Sequence, residues 1–330
     1  MSGLTIVFGT AGFTAGANYP TPADAKVVLD AVAKADVTHI DTAQLYGDSE
    51  AFLGELNSGD RFNIDTKAQG GFDPNNSLRP ENLYKNAHAS MEKLKLKGKG
   101  VDIFYVHAPD DKIPPKEWLP TMDKLHKEGV FKRLGLSNFH PHQVKEVYDE
   151  AKKGGFVLPS VFQGNYSPVT RKQEDDLFPL LRELGMAFYA YSPMAGGFLA
   201  KTKQGLLDGV KNGRFAEPKS GLGNMYRDMY LKPAMLDALE EWSVAAKEEG
   251  VSQAELAYRW VSYHSPLKRE KGDAIIIGAR TTEQAVETVE GLKKGPLKDK
   301  VVKMIDEVWE KVRNEAPLDN FNSYAKLQQG

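Results

Sequence analysis

The chain has 330 residues, 41% hydrophobic and 27% charged, an ordinary globular composition with room for one large domain or two medium ones. Its 43 basic and 45 acidic residues leave a net charge of −2, so no broad basic face is available for nucleic acid. Cysteine is absent, which excludes disulfides and thiolate metal sites, and no metal is expected.

The start, MSGLTIVFGTAGF, has neither a basic leader nor a long apolar core. No stretch approaches the roughly 18 apolar residues of a membrane span. The expectation is a cytoplasmic protein with no membrane partner. Apolar runs then recur along the chain: TIVFGT (5–10), VTHIDTA (37–43), FNIDTK (62–67), IFYVHA (103–108), KRLGLS (132–137), VFQGNY (161–166), AFYAYS (187–192) and AIIIGA (274–279). Each is nearly continuous, as in parallel strands covered on both faces. Helical patterns lie between them. Thr21-Pro22-Ala23-Asp24 reads as a capped helix start with proline at the first helical position. One apolar face is marked by Leu83, Ala87, Met91 and Leu94, a second by Val144, Val147, Tyr148 and Ala151, and a third by Leu177, Leu180, Leu181 and Leu184.

Strands alternating with helices, with no linker or break in composition, predict a (β/α)8 TIM barrel of the α/β class, a single domain over 1–330. The rival is a doubly wound open sheet, but the first strand is followed by Gly9-Thr10-Ala11-Gly12-Phe13, which lacks the GxGxxG dinucleotide fingerprint. One long irregular stretch, 201–234, follows the seventh strand, where a barrel carries its lids and binding loops. A C-terminal tail covers about 316–330.

Functional side chains of a barrel gather at the C-terminal ends of its strands. Asp41 ends the second, with Tyr46 just beyond it; Lys67 ends the third and His107 the fourth. A free tyrosine titrates near 10, too high for efficient proton donation at neutral pH. A lysine ammonium beside it lowers that value, and a carboxylate holds the lysine charged. A histidine can hydrogen-bond a carbonyl oxygen and orient it. Together the four suit proton delivery to an oxygen while hydride arrives on carbon. Taken singly, each has an ordinary structural reading: a helix cap, a surface lysine, a core histidine.

The motifs His39-Ile40-Asp41-Thr42-Ala43, Leu45-Tyr46-Gly47, Thr66-Lys67, Val106-His107-Ala108-Pro109-Asp110 and Gly135-Leu136-Ser137-Asn138 resemble, in order, those of the aldo-keto reductase superfamily. Phe188 to Gly197, Leu125 to Gly129 and Asp176 to Pro179 are similar to its aflatoxin aldehyde reductase branch. The resemblance implies NADPH (or NADP+) bound across the barrel mouth. Ser137, Asn138 and Gln163 would hold the carboxamide and Tyr191 would stack on the nicotinamide. Ser192, Pro193, Met194, Ala195, Gly196 and Gly197 would wrap the pyrophosphate, with Arg214 as a further cofactor contact. Arg280, Thr281 and Gln284 would take the adenosine 2′-phosphate at a helix start, a physically apt place for a dianion.

It also implies reduction of aldehydes (aromatic, aliphatic or dicarbonyl) with Tyr46 as proton donor, a role in detoxification, and a homodimer. His107, Tyr226 and Arg227 would meet the substrate. The chain departs from the pattern at Thr288, where the family often has an adenine-binding asparagine. It departs again at Met229, where the branch tends to place a second arginine, and in a tail with no terminal arginine, Lys326 being the nearest cation. Strict specificity for semialdehyde acids is therefore not expected. Two other readings compete: an NADPH-binding redox-sensing or regulatory subunit with little turnover, and a lyase using Lys67 as a Schiff-base nucleophile, which the carboxylate of Asp41 opposes.

Overall fold

The computed structural model describes residues 3–73, 75, 77–210, 213–216 and 221–323. Eight parallel strands close into a barrel in chain order: β1 (Thr5–Gly9), β2 (His39–Asp41), β3 (Asn63–Ala68), β4 (Val101–Val106), β5 (Phe131–Ser137), β6 (Pro159–Asn165), β7 (Ala187–Tyr191) and β8 (Ala274–Ile277). β8 returns to β1 through Thr5 opposite Ala274 and Phe8 opposite Ile277. The expected TIM barrel is therefore present, and all eight predicted strands are where their apolar runs lie.

The helices are α1 (Pro22–Lys34), α2 (Ser49–Glu55), α3 (Pro80–Leu94), α4 (Pro115–Lys127), α5 (Pro141–Gly154), α6 (Leu177–Glu183), α7 (Lys203–Leu207), α8 (Gly221–Tyr230), α9 (Pro233–Glu249), α10 (Gln253–Tyr263), α11 (Thr282–Lys293) and α12 (Asp299–Val312). Thr21 caps α1 as read, its hydroxyl accepting from Asp24 N–H. The stretch 201–234 corrects the sequence reading, because it contains α7 and α8 and ends inside α9. The tail residue Lys326 lies outside the described residues.

Two apolar layers follow from strand alternation. Val7, Ile103, Tyr105, Val161, Ala187, Tyr189, Ala274 and Ile276 fill the barrel, while outward-facing residues such as Phe8, Phe104 and Phe162 meet the helices in a larger core. The register sets the heights of the polar residues. Asp41 is opposite Gly9 on one side and Asp65 on the other, and Lys67 is opposite Tyr105. Ser137 is opposite Gln163, and Asn165 is opposite Tyr191. The groups expected to act thus come to one end of the barrel.

The other end is fastened by Asp273. Fully buried just before β8, it accepts from both guanidinium nitrogens of Arg182 at 3.0 and 2.5 Å, and from the backbone N–H of Phe188 and of Lys268 at 2.7 Å each. Removing the carboxylate would strand these donors in the interior. We predict that Asp273→Ala destabilises the fold by about 3–5 kcal/mol, read as a lowered urea midpoint. Activity per folded molecule should hold, since Asp273 sits at the end opposite the site; an unchanged midpoint would refute this role.

Candidate active site

β3 delivers Lys67 into the barrel with 0% of its side chain exposed. Its ammonium donates at 2.7 Å to each oxygen of Asp41 and at 2.7 Å to the carbonyl of Thr42. All three hydrogens are used, which makes a buried ammonium tolerable. Burial alone would lower its proton affinity, but the charges of Asp41 and Tyr46 and the bond to Asp41 outweigh it, and its pKa is raised. No free amine is left for a Schiff base. Gln163 completes the arrangement, donating from Nε2 to Asp41 Oδ1 at 2.8 Å. Below lies buried Asp65, whose Oδ1 accepts from Ile103 N–H at 3.1 Å. Burial first, then the nearby Asp41 and Asp102, push its carboxyl well above the usual range.

Tyr46 stands half-buried above this floor, in the loop after β2. The Lys67 ammonium lies 5.1 Å from the centre of its ring. Lys67 does lower the phenol's pKa, as the sequence reading has it, but the net shift is upward. Burial raises it, and Lys67 and Arg214 pull it only partly back. Across the site, the His107 ring meets Tyr46 edge-on at 5.8 Å and Phe72 at 5.1 Å. Burial, followed by the Lys67 charge, lowers its pKa well below the ordinary 6.5, so the imidazole is neutral. Its Nδ1 is buried with no hydrogen-bond partner. A bare lone pair there is easier to bury than an N–H, which favours the proton on Nε2. Asp41, Tyr46, Lys67 and His107 are thus brought together as the strand ends suggest.

Other expected residues are more committed to the protein. Asn138, at φ 62°, donates to the His107 carbonyl at 2.8 Å and to Ser137 Oγ at 3.1 Å, and accepts from Tyr191 OH at 2.8 Å. With Nε2 of Gln163 engaged by Asp41, part of the polarity expected at a carboxamide serves to hold strand ends together. The turn after β7 has positive φ at Ser192 (54°), Ala195 (51°), Gly196 (67°) and Gly197 (97°). Non-glycine residues held this way cost of order 1–3 kcal/mol each and cluster at ligand clamps. A Cβ on Gly196 would lie 2.3 Å from the ring of Tyr226.

Tyr226 itself is only 2% exposed and supports this turn from beneath. Its hydroxyl accepts from Arg214 Nη1 at 2.5 Å and from Asn320 Nδ2 at 3.1 Å. Arg227 turns back to the Phe215 carbonyl at 3.3 Å. Tyr226 is thus turned inward, while Arg227 stays half-exposed. At the start of α11, Thr281 Oγ1 accepts from Gln284 N–H at 3.3 Å and Gln284 Oε1 accepts from Arg280 N–H at 3.2 Å. Those two side chains cap the helix, while Arg280 is exposed and in no ion pair among the described residues. A strained turn facing the strand ends and an open arginine at a helix N-terminus fit an extended phosphate-bearing cofactor.

Three residues escaped the sequence reading. Phe72 packs on His107, Phe321 packs edge-on against Phe72 at 4.9 Å, and Asn320 donates its N–H to Tyr191 OH at 3.2 Å. Gly70-Gly71 was the available signal. A Cβ on Gly71 would sit 2.1 Å from the Pro109 carbonyl and 2.8 Å from the Phe321 ring, so only glycine lets these loops close together.

A closed barrel with a buried lysine–carboxylate pair under a tyrosine, and a neutral histidine opposite, defines a carbonyl oxidoreductase centre. The chain belongs to the aldo/keto reductase family, whose model matches residues 5–310. It is 38% identical over 299 residues to human aldo-keto reductase family 7 member A3, covering 85% of this chain and 87% of that protein. Over 327 residues it is 34% identical to oxidoreductase sirO of Leptosphaeria maculans, covering 94% and 95% respectively. Aflatoxin B1 aldehyde reductase member 2 of Rattus norvegicus is 36% identical over 294 residues, covering 85% and 78%. The chain is accordingly an oxidoreductase of a family that acts on small carbonyl compounds with a nicotinamide cofactor. No helix among the described residues is long and apolar enough to cross a membrane.

The buried pair generates its own prediction. Lys67→Met leaves Asp41 unpaired in the interior and should destabilise the protein by about 3–5 kcal/mol in urea unfolding. Adding Asp41→Asn should recover much of that loss without restoring turnover. Additive losses would show that the two side chains are not coupled.

Proposed function

We propose that the protein reduces aldehydes to alcohols with NADPH, with Tyr46 as the proton donor. The observation that carries this reading is the Lys67 ammonium fixed between Asp41 and Thr42, directly under the Tyr46 ring. Bound NADPH supplies the hydride. Neutral His107 presents Nε2–H to the carbonyl oxygen and holds it within reach of the phenol. Tyr46 gives its proton to that oxygen as negative charge develops there, and Lys67 stabilises the phenolate left behind. The raised phenol pKa keeps the donor protonated at neutral pH, while the buried cation lowers the cost of giving the proton up.

Ser192 to Gly197 would follow the pyrophosphate, and exposed Arg280 at the α11 N-terminus would favour a 2′-phosphate, hence NADPH over NADH. Ser137, Asn138, Gln163 and Tyr191 would border the nicotinamide, their mutual bonds fixing its seat. Arg214, exposed and close enough to influence Tyr46, would reach the cofactor from the loop after β7. The complete donor, cation and carboxylate set favours turnover over a purely cofactor-sensing role. Reduction of reactive aldehydes in the cytoplasm is the setting this chemistry suits.

Two measurements test the reading. Tyr46→Phe should lower carbonyl reduction by about 10²–10⁴-fold, followed as NADPH oxidation with 4-nitrobenzaldehyde, while NADPH binding by fluorescence stays close to wild type. Retention of roughly a tenth of the rate would sink the donor assignment. Arg280→Ala should weaken NADPH by about tenfold or more and NADH far less, since a charge-assisted bond to the 2′-phosphate is lost. Equal losses for both cofactors would remove that role.

A further inference from the structure

We propose that the substrate cleft of this protein selects neutral or cationic aromatic aldehydes and rejects those carrying a carboxylate. The inference rests on the reductase reading above and adds the substrate class. A cleft of about 200 Å³ opens between the loop after β3, the loop after β4 and the C-terminal tail, lined by Gly71, Asp73, Asp110, Asp111, Lys112 and Phe321 together with Pro109. An apolar cavity of about 150 Å³ suffices for a whole benzene, so the far substituent of an aromatic substrate fits the space.

The cleft adjoins the reacting groups through a row of rings. Phe321 meets Phe72 at 4.9 Å with 78° between planes, Phe72 meets His107 at 5.1 Å and 65°, and His107 meets Tyr46 at 5.8 Å and 79°. Rings in edge-to-face contact offer apolar surface and both signs of quadrupole to a further ring, and an exposed aromatic face attracts a cation. A planar aromatic aldehyde laid along this row would point its carbonyl at Tyr46 and His107 and its far substituent into the cleft.

That far end is negatively charged. Asp73, Asp110 and Asp111 against Lys112 alone leave the lining at −2 (one positive, three negative). Two of the carboxylates are oriented by the backbone: Asp73 Oδ1 accepts from Asn75 N–H at 2.8 Å, and Asp110 Oδ1 from Lys112 N–H at 3.0 Å. None of the three is in an ion pair among the described residues. Among the described residues, Lys67 is paired with Asp41, and Arg214 and Arg227 bond the Tyr226 hydroxyl and the Phe215 carbonyl rather than the cleft carboxylates. A substrate carboxylate in this cleft would meet three of its own sign and one lysine, whereas a neutral amide or a quaternary ammonium would meet no such opposition.

The test compares kcat/KM for 4-formylbenzamide, 4-carboxybenzaldehyde and 4-(trimethylammonio)benzaldehyde, each divided by its rate of borohydride reduction in solution to remove intrinsic reactivity. The amide should exceed the acid by about tenfold or more, and the cation should at least equal the amide. The amide-to-acid ratio should shrink severalfold at high salt. It should shrink likewise in the triple variant Asp73→Asn, Asp110→Asn and Asp111→Asn, whose amides keep the oxygen that accepts the backbone bonds. An acid as good as the amide, or a ratio that the triple variant leaves unmoved, overturns the charge selection while leaving the reductase reading in place. No turnover with any of the three overturns both.

Discussion

A charged lysine with no exposed side-chain surface is the constraint on which the rest of the site depends. Burial of that kind is tolerable only because Asp41 and the Thr42 carbonyl take all three hydrogens, and because Gln163 holds one of the Asp41 oxygens. The barrel makes the pairing possible. Parallel strands in register set β2 and β3 side by side, with Asp41 opposite Asp65 and Lys67 two residues further along, where its side chain reaches the Asp41 carboxylate. The electrostatics above that floor follow. Burial, and after it the cation, keeps His107 neutral, and the cation moderates the Tyr46 phenol, whose burial would otherwise raise it further. Asp65 adds a buried carboxyl beneath the pair, and burial with the charges of Asp41 and Asp102 raises its proton affinity.

Around this floor the barrel mouth is divided. One side is the strained turn after β7 and the start of α11; the other is the pair of loops after β3 and β4 with their carboxylates. Two neighbouring tail residues join the halves. Asn320 reaches Tyr191 and Tyr226 on the first side, and Phe321 reaches Phe72 on the second. The tail turn that carries them is itself fixed by Asp319, which accepts from the N–H and the side-chain amide of Asn322 at 2.7 Å each.

Much of this was legible in the sequence, and for physical reasons. Strands buried on both faces must be apolar throughout, so all eight stand out, and strand ends are where polar residues interrupt the runs. Asp41, Lys67 and His107 are visible for that reason. Rotation of a helix in a loop is not visible in the same way. The inward turn of Tyr226 appears only once α8 packs against the turn at Gly196. The Tyr46 phenol was misjudged because neighbouring charges can be read from residue types, whereas desolvation depends on what packs around the ring. Phe72 and Phe321 lie far apart in the chain, and only the closed fold makes them neighbours.

The position of Phe321 has a consequence for how such an enzyme can be altered. The proposed proton-transfer groups sit on strand ends and in the loops directly after them, but the proposed substrate wall comes partly from a segment outside the barrel. Exchanging that segment offers a route to a new substrate range that leaves the proton-transfer groups untouched. The exchange is not free, because a graft that replaces Asn320 loses its side-chain bond to Tyr226, and one that shifts the chain also loses the backbone bond to Tyr191. A transplanted tail therefore has to be matched in register as well as in composition, with its polar hook one residue ahead of its aromatic wedge.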